Sequence, residues 1–115
     1  MKPYTVLTIG YMVLITLLSH VPQEDLPKSD LEGIAYFFHF AEYSILGFLL
    51  FRSITSDELL TFHPFYGSLL IGISFAILDE FHQSFVPGRH MSSTDVLFDS
   101  LGIVFGMFAS YKIRN

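Results

Sequence analysis

Cysteine is absent from this chain. That excludes a disulfide framework and any thiolate metal centre. Positive charge is scarce: 6 Lys and Arg stand against 11 Asp and Glu, for a formal net charge of −5. With no basic stripe to meet phosphates, nucleic acid is excluded as a partner. No glycine-rich phosphate loop and no G-x-S-x-G elbow occurs, so the usual nucleotide cradle and serine-hydrolase turn are missing. Charge of either sign is sparse, at 15% of residues. At 115 residues the chain has room for one domain and no second.

What fills the chain is apolar. Hydrophobic residues make up 51% of it, 13 of them Phe. They fall into four runs bounded by short polar clusters, at 4–20, 33–52, 64–85 and 94–111. Each approaches the ~20 residues that a helix needs to cross a hydrocarbon core of ~30 Å. A chain this short cannot hide four such helices in a core of its own. The pattern therefore predicts an all-α membrane protein with four transmembrane helices, the shorter first and last spans tilted or locally thinning the bilayer. Lys2 before the first run resembles a signal peptide, but His20-Val21-Pro22 is no small-x-small cleavage site, so a retained helix is expected.

The connections carry start and stop chemistry. Ser29 with Glu32 forms a capping box for the second helix, after a loop kept non-helical by Pro22 and Pro27. Residues 53–62, with Asp57 and Glu58, read as the second loop. Pro64 suits a first helical turn, Pro87-Gly88 a stop, and Ser92 with Asp95 a further box-like start. Lys2, Arg52, Lys112 and Arg114 lie on the side of the termini, against Lys28 and Arg89 on the other. By the excess of cations on cytoplasmic loops, N- and C-termini are expected in the cytoplasm.

Ionisable side chains inside such spans are costly and mark function unless they face protein or water. His39, Glu42 and Tyr43 share one face of the second helix, at i, i+3 and i+4. Asp79, Glu80 and Gln83 crowd the C-terminal end of the third, where acids oppose the helix dipole. On that helix Ser68, Gly72 and Ala76 form a small-residue row. On the fourth, Asp95 and Asp99 precede Gly102 and Gly106 on one face. The expected up-and-down topology brings all these acids to one level, beside Arg89, in a polar cavity opening outward. The blander readings are a packing histidine, a solvated end for the third helix and a capping role for Asp95. Arg89 suits a carboxylate, Glu80 above all, or a lipid phosphate. Gln83 is placed to orient a neighbour. His39, Glu42, Asp79 and Glu80 offer N and O donors to a metal, but no H-x-x-x-H spacing puts two ligands on one helix. The expectation is no metal and no cofactor.

These residues also carry a resemblance. His39-Phe40-x-x-Tyr43-x-x-Leu46-Gly47, then Asp79-Glu80-x-x-Gln83-x-Phe85-x-Pro87-Gly88-Arg89, then Ser93-x-Asp95-Val96-Leu97 and Gly102 resemble the motifs of VanZ-like proteins. The likeness runs from roughly Lys28 to Gly106. It implies a bacterial four-helix protein of the cytoplasmic membrane, in a family whose founding member is linked to teicoplanin resistance. Two departures from the pattern stand out. Ala35 and Tyr36 stand where the family often has Asp-Lys, and Asp99 stands where it commonly has Asn.

Three functions fit the site chemistry. One is a binding protein for a polar or phosphorylated head group, with membrane lipids or a lipid-linked wall precursor as partner. Another is a membrane-embedded enzyme acting on such a head group, with Asp79 or Glu80 as acid and base. The third is a proton-coupled carrier, which at this size would need a homo-oligomer.

Overall fold

The computed structural model describes residues 3–19, 28–57, 63–85 and 93–114, with side chains for 3–18, 36–57, 63–85 and 93–113. Arg89, the Pro87-Gly88 turn, Ser92, Pro22, Pro27 and the side chains of Ser29 and Glu32 lie outside the described residues. Four helices and no strand occur among those described: α1 (Pro3–Ser19), α2 (Lys28–Ser56), α3 (Pro64–Gln83) and α4 (Ser93–Arg114). Within them, Tyr36–Ser56, Pro64–Gln83 and Ser93–Ile113 are long and apolar enough to cross a membrane, and Pro3–Leu18 is a shorter apolar helix. The long axis of the molecule measures 43 Å, close to a bilayer with its head-group layers at ~40–45 Å.

The distribution of side chains is that of a membrane protein. Large apolar groups face out: Leu17, Phe37, Tyr66, Leu78, Phe85 and Ile113 are each more than half exposed. Polar groups face in: Ser53, Ser68, Glu80, Asp99 and Ser110 are fully buried. Water would reverse that order, and hydrocarbon favours it. Tyr43, Leu46, Leu50, Ile103 and Met107 form the centre of the apolar core, with Ile15 of α1 and Ala76 of α3 against it.

α2 and α4 make the most extensive helix contact in the bundle, and glycine sets it. A Cβ on Gly102 would strike the carbonyl of Phe40, one on Gly106 the carbonyl of Ser44, and one on Gly47 the carbonyl of Ile103. The two backbones therefore meet with no side chain between them, as small-residue seams allow. α3 is looser at this level: Gly72 faces the flexible tip of Ile103, not backbone.

Local signals account for the helix limits. Pro64 starts α3, where a missing N–H costs nothing, and the His63 ring accepts from the Phe65 N–H as the N-cap. α2 runs a turn past its expected end at 52. Ser53 stays helical because its hydroxyl, bonded to the Leu49 carbonyl at 2.8 Å, is buried against Thr8 of α1 at 2.6 Å. Asp57, one residue beyond α2, accepts from both the backbone N–H and the hydroxyl of Thr5, at 2.7 and 3.0 Å. A carboxylate from one helix thus caps the N-terminus of another.

Candidate functional site

The α2–α4 seam decides the geometry of the site. Gly102 sits against Phe40, and the residues one turn earlier on α4 and one position earlier on α2 are Asp99 and His39. Nδ1 of His39 lies 2.8 Å from Oδ1 of Asp99, across 60 residues of chain. With the carboxylate ionised, the ring nitrogen donates. Nε2 of the same ring lies 4.0 Å from Oδ2 of Asp95, one turn earlier on α4. The imidazole is thereby held between two carboxylates of one helix.

α3 closes the site from the other side. Its buried stripe starts with Gly67, Ser68, Gly72 and Ala76 and ends with Asp79, Glu80 and Gln83. The small residues let α3 lie close enough for the larger acids to reach inward. Glu80 is 0% exposed, and Asp79 and Gln83 are 5% each, so the solvated helix end that was one alternative is not what forms. The Tyr43 hydroxyl donates to Oδ2 of Asp79 at 3.1 Å. One donor atom each from His39, Glu80 and Asp99 lies within 4.8 Å of the others. Asp99 is itself 0% exposed, and its Oδ2 has no hydrogen-bond partner.

Of the residues that the sequence singles out, His39, Tyr43, Asp79, Glu80, Asp95 and Asp99 come together at this end of the bundle. Glu42 is half-buried and adds to the negative field at His39. Its backbone carbonyl accepts from the Tyr11 hydroxyl at 2.9 Å, tying α1 to α2. Gln83 lies on the same buried stripe as Glu80. The sequence reading overlooked a second polar network at the opposite end. There Arg52 donates from Nε to Ser110 at 2.9 Å and lies over the rings of Tyr4 and Phe48. Its signal was the polar face of α1, Thr5 and Thr8 at i, i+3, matching Ser53 and Asp57 at i, i+4.

A model of the VanZ/LLP1 family matches residues 5–114, nearly the whole chain. The chain belongs to the VanZ/LLP1 family. No curated protein and no solved structure matches it. Both departures from the VanZ-like pattern fall at the site. Asp99 is the very residue bonded to His39. Tyr36 stacks on Phe98 of α4, ring centroids 5.0 Å apart. In this VanZ/LLP1 protein an aromatic contact between α2 and α4 stands where the pattern expects a lysine, and an ionisable acid stands where it expects an amide.

Proposed function

We propose that this VanZ-like membrane protein binds the polar head group of a lipid or lipid-linked wall precursor at its acid cluster, in the bacterial cytoplasmic membrane. Through that binding it alters susceptibility to glycopeptides or other envelope-directed agents. The observation that carries the reading is the complete burial of Glu80 and Asp99 beside His39, contributed by three different helices. Carboxylates are not buried together for stability, since each loses its hydration and repels the others. Carboxylates and an imidazole suit a group rich in donors, such as hydroxyls, amides or an amine. The outward placement of the cluster rests on the excess of Lys and Arg on the side of the termini.

An enzyme acting on the same head group is the second reading. What favours it is the imidazole fixed by Asp99 with Glu80 in reach, a pairing that can move protons. Asp79, which accepts from the Tyr43 hydroxyl, and Glu80 are the acid–base residues of this reading.

The test expresses wild type and Glu80→Gln in a sensitive host, measures susceptibility, and follows lipids and wall precursors by mass. Native mass spectrometry of gently purified wild type should show a retained lipid or precursor of unchanged mass. No co-purifying lipid, together with no shift in susceptibility, defeats the binding reading. A precursor that changes mass only with wild type makes the protein an enzyme. Cysteine labelling beside His90 tests the orientation: reaction from the cytoplasmic face alone would turn the cluster inward.

A further inference from the structure

We infer that His39, Glu80 and Asp99 bind one divalent first-row metal cation. Three helices each deliver one donor: the His39 imidazole from α2, the Glu80 carboxylate from α3 and the Asp99 carboxylate from α4, all within 4.8 Å of one another. Donors on a common ion at bond lengths of ~2.1 Å sit roughly 3–4 Å apart, so the set tightens when an ion enters.

A cluster of acids alone would not carry this. The independent observation is Asp99. Its side chain is fully buried, one oxygen is engaged by His39, and the other has no hydrogen-bond partner. A buried carboxylate oxygen without a donor calls for a cation. The lysine and arginine side chains among the described residues, Arg52 and Lys112, both belong to the opposite end of the bundle. A metal-ligating imidazole must be neutral, and with it the two carboxylates carry a charge of −2, which a divalent ion cancels. Asp95, whose Oδ2 lies 4.0 Å from His39 Nε2, is the next carboxylate available.

The donor set narrows the class of ion. An imidazole nitrogen with carboxylate oxygens and no sulfur suits Zn2+ or Mn2+, whereas Ca2+ and Mg2+ favour all-oxygen shells. The inference does not depend on the head-group reading, because metal retention is measurable with no lipid ligand. It also gives an acid-rich site a way to hold an anionic group, which carboxylates alone would repel.

The experiment strips the detergent-solubilised protein with EDTA, dialyses it against Zn2+ or Mn2+ alone, desalts it and measures bound metal by elemental mass spectrometry. Wild type should keep about one equivalent per chain. Glu80→Gln and Asp99→Asn should retain it at least ~tenfold more weakly, while Asp57→Asn, at the other end, should match wild type. Circular dichroism establishes that each variant is helical. Should the two site variants fail to fold, pulsed EPR of Mn2+-loaded wild type decides, since coupling to an imidazole nitrogen is expected. No metal retained by wild type, equal retention by all folded variants, or no nitrogen coupling overturns the inference.

Discussion

At the end of the bundle where α1 begins and α2 finishes, buried acceptors meet donors. Asp57 takes two bonds from Thr5, Thr8 and Ser53 bond each other, and Arg52 donates to Ser110. Ser68 is the exception, a neutral hydroxyl buried without a partner. At the other end, one buried carboxylate oxygen among the described residues has no donor. Tyr43 engages Asp79, His39 engages Asp99, and a buried oxygen of Asp99 is still left over. A satisfied polar network holds helices together and asks for nothing more. An unbalanced one costs stability, and it persists where something outside the chain completes it. The contrast sets polar residues that serve the fold against those of the proposed site.

Four substitutions break or sharpen that contrast. The largest effect should come from the seam that supports both ends. Gly106→Val drives a branched side chain into the Ser44 carbonyl and should destabilise by ~3 kcal/mol or more, beyond ordinary overpacking of a core. Thermal unfolding in detergent would read it as loss of the folded bundle. Asp57→Ala, at the satisfied end, uncaps α1 and should cost ~2 kcal/mol, with lipid and metal retention unchanged. If it lowers retention instead, the two ends are coupled and the contrast is wrong. Tyr43→Phe removes one neutral donor from Asp79 and should cost ~1 kcal/mol. The smallest shift in stability is expected for Asp99→Asn, between neutral and ~1 kcal/mol stabilising, because it removes a buried charge. Yet this variant should abolish the change in susceptibility. A destabilisation of ~3 kcal/mol would instead make Asp99 a structural residue like Asp57.

Much of the fold is legible in the sequence because membrane-length apolar runs have few other uses. The four helices follow from run length, and the start of α3 follows from Pro64. The continuation of α2 through Ser56 does not, because its cause lies on α1. The site divides the same way. Periodicity puts His39 and Tyr43 on one face, and the costly acids stand out in any span that carries them. Which acid each one meets is not a property of one helix: His39 goes to Asp99 on α4, Tyr43 to Asp79 on α3. The same limit applies to metal chemistry. No H-x-x-x-H spacing marks a helix in the sequence, while three helices bring one donor each.

The pairing of α2 with α4 also sets an order of events during synthesis. His39 leaves the ribosome 60 residues ahead of Asp99, and the seam glycines of α4, Gly102 and Gly106, come later still. Through that interval α2 has neither its glycine-seam partner nor its counter-charge. A nascent chain stopped before α4 therefore leaves His39 of α2 without Asp99. An ionisable group without its partner is costly in hydrocarbon, so the partial bundle is the less stable one. Insertion of α4 supplies that partner, so the pairing at the candidate site forms only when the α2–α4 seam does.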